Sequence, residues 1–321
     1  MKLQVPQRLK IDEKTERNDP IQQVAVGSHW IEGTLVSFTR DKLKGWLFQP
    51  QAGTPEILLV PAKSKNIPDT FASVISCDGV INSEKVDVSK GTWLQFPTVV
   101  AVANETPAGR IERVLDSWTG AFSYVQEDPS RELLGLRPPQ IGALHAVHAH
   151  WSVTDSIATI VMPTGTGKTE VMLSILTSAR CSRLLVVVPT DALRSQIAEK
   201  FLTLGLLKKA GVGILAPSAA CPIVCRLEHV LPTAAAVDSL MDRTQVIVAT
   251  STLLALCSAE VQERLAHHCP TYSSMRLIMP KLRHGAHSKA NLKNSELFNS
   301  PLHHSVKMAV SSTDRSSTNI R

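Results

Sequence analysis

The strongest constraint on this chain is a run of seven residues, Pro163-Thr164-Gly165-Thr166-Gly167-Lys168-Thr169, set between an apolar stretch at 157–162 and a helix-compatible stretch from Lys168 onward. Two glycines separated by one residue let the backbone adopt conformations that other residues resist, so that successive N–H groups can close around a phosphate. Lys168 then has the reach for the β- and γ-phosphates, and Thr169 offers a hydroxyl to Mg²⁺. A strand before the loop and a helix after it place the phosphates at a helix N-terminus, where backbone dipoles favour an anion. The motif ordinarily opens on glycine, and Met162 stands there instead. The residues expected to hold ATP with Mg²⁺ are Thr164, Gly165, Thr166, Gly167, Lys168 and Thr169, with Thr169 as the metal contact.

The surroundings of the loop repeat one pattern. Expected strands at 157–162, 183–188, 212–216 and 246–249 alternate with expected helices at 168–179, 191–206, 233–242 and 253–265. The runs Leu184-Leu185-Val186-Val187-Val188 and Gln245-Val246-Ile247-Val248-Ala249 are continuous rather than alternating. Strands of a parallel sheet covered on both faces read that way. The fold class is therefore α/β, a P-loop domain on a parallel sheet. A further helix is expected to open at Pro138-Pro139 and run to about residue 151.

The N-terminal third reads differently. Residues 1–20 are charged and are expected to fray. From Gln23 to about Ala103, short apolar or alternating runs are separated by turn residues, as in Gln51-Ala52-Gly53-Thr54-Pro55. That spacing predicts a small β-rich domain, followed by a connector with helical pieces over 105–137. The expected organisation is 1–135 for the β-rich domain and connector, 136–270 for the α/β domain, and 271–321 for a tail.

Composition narrows the class. With 43% apolar residues the 321-residue chain has material for a core. No apolar run reaches the ~18 residues of a membrane span, and the start has no signal-peptide stretch, so a soluble cytoplasmic protein is expected. Six cysteines match no disulfide or zinc spacing, and His145, His148 and His150 have no carboxylate at helical spacing to complete a metal site. The formal charge of +6 is a property of the tail. Residues 271–321 hold 8 of the 34 basic and 2 of the 28 acidic residues, which leaves 26 of each elsewhere.

Four segments together resemble a known family. Met162-Pro163-Thr164-Gly165-Thr166-Gly167-Lys168-Thr169-Glu170 is similar to motif I of superfamily 2 helicases of the DEAD/DEAH type, in the branch of type III restriction subunits, where a Met-Pro-Thr-Gly variant is familiar. Leu136-Arg137-Pro138-Pro139-Gln140 resembles the segment whose Gln contacts adenine. Val188-Pro189-Thr190-Asp191 and the residues up to Gln196 resemble motif Ia, and Val248-Ala249-Thr250-Ser251-Thr252-Leu253 resembles motif Ib. The resemblance covers 136–257. It implies a RecA-like domain, nucleotide contact by Gln140, and contact of Pro189, Thr190, Thr250 and Ser251 with the backbone of one nucleic-acid strand, DNA by the restriction branch. Read from residue type alone, Gln140 is a polar residue at a helix start, and Thr190 and Thr250 are helix caps.

Such an ATPase also needs an acidic Asp-Glu motif, whose Asp orients Mg²⁺ and whose Glu activates water. The resemblance places it near Met275, yet only Glu296 and Asp314 are acidic after residue 270. Pairing the last base of each codon with the first two of the next resolves this. Across Thr271 to Met279, permissible codons spell Val-Phe-Val-Asp-Glu-Ala-His-His. Across Asn299 to Ala309 they spell Phe-Thr-Ala-Thr-Pro-Phe-Arg-Glu-Asp-Gly, which resembles motif III. The expectation is that residues from about 270 are an out-of-frame translation of a helicase gene, leaving an incomplete RecA-like domain without its last strands, a disordered basic tail and no second RecA-like domain. The expected function is an ATP-binding helicase or translocase domain with little or no hydrolysis. The alternatives are a nucleotide-dependent regulatory protein that binds nucleic acid without motor activity, and another P-loop enzyme such as a kinase, which would leave Pro189-Thr190 and Thr250-Ser251 without a role.

Overall fold

The computed structural model describes residues 1–40, 43–51, 55–62, 64, 70–78, 85–96, 106–154, 158–163, 165–209, 211–269, 271–276 and 305–309. They form two units, the first from residues 1–10 and 24–105, the second from 11–23 and 106–321.

The first unit is built on one sheet. Its strands are β1 (Lys2–Val5), β4 (His29–Arg40), β5 (Leu43–Pro50), β6 (Ile57–Val60), β7 (Ser73–Ser76), β8 (Lys85–Asp87) and β9 (Thr92–Gln95), in the order β8-β1-β4-β5-β6-β7-β9. The two remaining early strands, β2 (Arg8–Lys14) and β3 (Pro20–Val26), lead into the second unit. Side chains alternate across a strand. Ile57 and Leu59 of β6 therefore join a core with Leu3, Phe48 and Ile75, while Leu58 and Val60 join a second with Leu43 and Val74. The charged first residues, expected to fray, instead supply β1, with Leu3 and Val5 buried in that core.

The second unit holds an eight-stranded sheet, β10 (Ala158–Val161), β15 (Ser305–Ala309), β14 (Thr271–Arg276), β11 (Leu184–Val188), β13 (Val246–Thr250), β12 (Val224–Arg226), β3 and β2, in that order. The first six run parallel and β3 joins antiparallel to β12. All five residues of β11 and all five of β13 are buried, as their unbroken apolar sequences require. The connecting helices are α3 (Lys168–Ser178), α4 (Asp191–Thr203), α5 (Ala234–Arg243), α6 (Ser251–Leu256) and α7 (Ala259–His268), preceded by α1 (Pro107–Ser117) and α2 (Pro138–Val153). Leu185, Val187, Ile247 and Ala249 meet Val237, Leu240, Leu253 and Leu265 in one core. Ile111 of α1 and Ile21 of β3 belong to it as well, so residues 106–135 and 11–23 are part of this unit rather than of the preceding domain.

Three expectations differ from this arrangement. The apolar residues 212–216 are not a strand. Gly211 and Gly213 adopt positive φ (81° and 72°) and bend the chain, and Leu215 makes only an isolated bridge to Phe122. The strand in that part of the sheet is β12, further along. The expected helix over 253–265 is two helices, because Cys257 is extended and Ser258 caps α7 through the N–H of Val261. Finally, the sheet does not stop before the tail. Strands β14 and β15 fill the two places between β10 and β11, where unpaired backbone groups would otherwise be left. The remaining tail residues lie outside the described residues.

Candidate nucleotide site

The loop after β10 is built as its glycines require. Gly165 and Gly167 sit at φ 81° and 82°, left-handed conformations that cost a residue with a Cβ dearly. Gly167 also caps α3, so the helix starts directly from the turn. From Val171 to Thr177, α3 is buried on every side, which anchors the helix behind the loop. Met162 is buried at the end of β10, so its side chain belongs to the packing and the loop proper starts at Pro163.

Most of the loop carbonyls are held by donors from the chain itself. Thr166 Oγ1 donates to the carbonyl of Pro163 at 2.7 Å, and Lys168 Nζ reaches the same oxygen at 2.7 Å. Arg137 Nη1 donates to the carbonyl of Gly165 at 2.8 Å. Gln140 Nε2 donates to the carbonyls of Thr166 and Gly167 at 3.0 and 3.2 Å. In a trans peptide the C=O and the following N–H point in opposite directions. Fixing the oxygens of residues 165, 166 and 167 therefore turns the amides of Thr166, Gly167 and Lys168 the other way, as a concave anion nest requires. Lys168 is 8% exposed, and burial draws its ammonium below the usual lysine value, so an arriving anion meets a poorly solvated cation. Thr169 is buried beside it in the first turn of α3. Thr164 lies outside the described residues.

Gln140 is the third residue of α2, whose first two positions are prolines that carry no N–H. Its Oε1 accepts the backbone N–H of Arg137 at 2.7 Å, half of a capping box. Only one orientation of the amide serves this network, oxygen toward that N–H and nitrogen toward the two carbonyls. The side chain is 3% exposed. Both ends of its amide are engaged with backbone. Arg137, which sequence reading passed over, supports the loop alongside it, with Glu127 3.6 Å from its Nε. Its position next to Pro138-Pro139 was the available signal, as the helix start brings this neighbour back to the loop.

The other expected contacts leave the same edge of the sheet. Val188 of β11 stands opposite Thr250 of β13, so Pro189-Thr190 and Thr250-Ser251 emerge from neighbouring strands about 4.8 Å apart. The loop after β10 leaves the sheet three strands away, also at a C-terminal end. Ligands of open α/β sheets collect along that edge. Both threonines cap helices, Thr190 through the N–H of Leu193 at 3.3 Å and Thr250 through that of Leu253 at 3.2 Å. Pro189, Thr190 and Ser251 are exposed, whereas Thr250 is buried. Behind them, Lys200 of α4 pairs with Glu170 of α3 at 2.8 Å, tying the two helices that start at these loops.

All six cysteines are buried thiols, and burial pushes Cys269 up to about 12. No cluster of three or more metal-ligating side chains occurs among the described residues. No helix among them is long and apolar enough to cross a membrane.

Residues 133–219 match the family model described as type III restriction enzyme, res subunit. No curated protein matches the chain. The match spans α2, the loop, α3, β11 and α4, and it implies a RecA-like domain of the helicase-like superfamily 2 type. Helicase-like domains of this kind bind nucleotide, and Thr250 and Ser251 fall beyond the matched stretch.

Proposed function

We propose that this chain binds ATP through the loop at 163–169, as the first motor domain of a superfamily 2 DNA helicase or translocase, with little or no hydrolysis. The carrying observation is the pair of left-handed glycines with Lys168 between a parallel strand and a buried helix. Lys168 would meet the β- and γ-phosphates, and the amides of the loop would receive their oxygens. Thr169 would hold Mg²⁺, which neutralises phosphate charge when bound. A hydroxyl and phosphates are only part of an Mg²⁺ donor set, which ordinarily includes a carboxylate. Pro189, Thr190, Thr250 and Ser251 would follow the backbone of one strand, and the restriction-enzyme match favours DNA.

The missing carboxylate leads to the second part of the reading. A strand in the middle of a parallel sheet is ordinarily an apolar run. The sequences assigned to β14 and β15 are Thr-Tyr-Ser-Ser-Met-Arg and Ser-Val-Lys-Met-Ala, against Leu-Leu-Val-Val-Val in the neighbouring β11. The shifted reading of the first is Val-Phe-Val followed by Asp-Glu-Ala-His-His, an apolar strand ending on two carboxylates. It supports a frame change near residue 270, in a gene whose intact product hydrolyses ATP. The motor segment proposed with it runs to about residue 270, with 271–321 as the out-of-frame tail.

Two measurements test this. Purified protein of this sequence is expected to show no DNA-stimulated ATP turnover, and steady-state hydrolysis that rises with DNA would refute the loss of activity. The nucleotide sequence over codons 257–309 is expected to encode both shifted motifs. Third bases that rule them out would overturn the frame change.

A further inference from the structure

We propose that Arg194 binds a phosphate of the nucleic-acid strand, and that the carboxylate of Asp191 occupies its place until the strand arrives. The inference rests on the proposed reading of Pro189-Thr190 and Thr250-Ser251 as a nucleic-acid edge.

Asp191 is the first residue of α4 and Arg194 the fourth. Helical side chains lean toward the N-terminus, so the guanidinium lies back over the first turn, with Nη1 3.1 Å from Asp191 Oδ1. The same Nη1 donates to the carbonyl of Leu227 at 3.2 Å. Leu227 directly follows β12, and its N–H donates to the carbonyl of Val248 in β13. Arg194 thus stands between the start of α4 and the ends of β12 and β13, beside the segments assigned to the strand.

The side chain is buried, 8% exposed, yet poorly satisfied. A guanidinium carries five N–H donors. Nε has no hydrogen-bond partner among the described residues. Nη2 lies 3.9 Å from Glu228 Oε1, beyond hydrogen-bond distance, and Arg226 Nε already holds that oxygen at 2.6 Å. Asp191, the carboxylate in close contact, has a side chain 78% exposed. Releasing an exposed partner to water costs little, whereas a buried cation short of acceptors favours an incoming anion. The helix start adds a positive dipole end and outward-facing amides, and the Thr190 cap takes the N–H of Leu193. A phosphodiester offers two oxygens to the guanidinium fork once Asp191 swings away.

A purely structural Arg194, fastening Leu227 to α4, predicts different behaviour. Fluorescence anisotropy of a single-stranded DNA oligonucleotide with the full chain, from about 50 to 200 mM salt, separates the two. Arg194→Met is expected to weaken binding severalfold and to flatten the slope of log affinity against log salt by about 0.7, the share of one phosphate on a single strand. Arg194→Lys keeps the charge and should keep the slope. Asp191→Ala should strengthen binding severalfold in the wild-type background and much less in Arg194→Met. An Arg194→Met variant with a lower melting temperature and an unchanged salt slope would make the residue structural and overturn the inference. Should Arg194→Met not fold, the exposed change Asp191→Ala decides alone, and affinity no higher than wild type overturns the inference. If the wild-type chain binds no single-stranded DNA, the nucleic-acid reading itself is overturned, and the inference falls with it.

Discussion

Gly167 and Gln140 are in such close contact that the glycine has no room for a methyl group toward the amide. The same glycine sits at φ 82°, so two independent reasons exclude a side chain there. Gly167→Ala should cost at least about 1–2 kcal/mol from the left-handed conformation alone. It should also push Gln140 off the loop carbonyls. Thermal melts should show the loss of stability, and nucleotide titration should show weakened binding. A variant with wild-type stability and affinity would contradict the fit.

The turn ahead of β3 is pinned by Asp19, which is 1% exposed. Its carboxylate accepts the N–H groups of Glu228 and His229 at 2.7 and 2.9 Å and the hydroxyl of Thr15 at 2.7 Å. Asp19→Ala would leave these part-buried donors without their partner and should destabilise the second unit by about 1–3 kcal/mol. Urea unfolding measures this, and a loss under about 0.5 kcal/mol would contradict the pinning role.

Legibility varied with the range of the interaction. The loop and the strands β11 and β13 could be read directly, because glycine spacing and unbroken apolar runs are local signals. Residues 212–216 were misread since apolar content alone does not show that Gly211 and Gly213 bend the chain. The three-residue β12 is too short to carry a period. The bonds from Gln140 to residues 166 and 167 join positions 26 and 27 apart, and nothing in either segment announces them. The pairing of β14 and β15 between β10 and β11 was invisible for a different reason, since their residues are not those of a central strand.

The two halves of the proposed nucleic-acid edge separate by substitution. Thr250 is buried and caps α6, so Thr250→Ala should cost about 1 kcal/mol of stability. Ser251 is exposed in the first turn, so Ser251→Ala should stay within about 0.5 kcal/mol of wild type. If Ser251 touches a DNA backbone, its loss should still weaken single-stranded DNA binding severalfold in fluorescence anisotropy. Unchanged DNA affinity in Ser251→Ala would remove it from the contact set.

Glu13 gives the pH dependence a sign. Burial raises its pKa, but hydrogen bonds and charge from Arg110 and Arg243 outweigh that and leave it below 4.5. A carboxylate with a lowered folded pKa stabilises above its unfolded value and loses that contribution as pH falls through the folded one. Glu13→Gln should therefore be less stable than wild type at pH 6, and the gap should close on acidification below about pH 4.5. A gap that persists at pH 2–3 would show that the ion pairs are not its source.

The central claim is that the loop at 163–169 is a working polyphosphate site in a chain with little or no hydrolysis. Equilibrium titration of Mg²⁺-ATP into the full chain, with Lys168→Ala alongside, tests it most directly. The account predicts saturable binding at one site in the wild type, weakened about 10–100-fold in Lys168→Ala, with the nucleotide recovered intact. Equal affinity in the two proteins, no binding in either, or recovery of the nucleotide as ADP would contradict it.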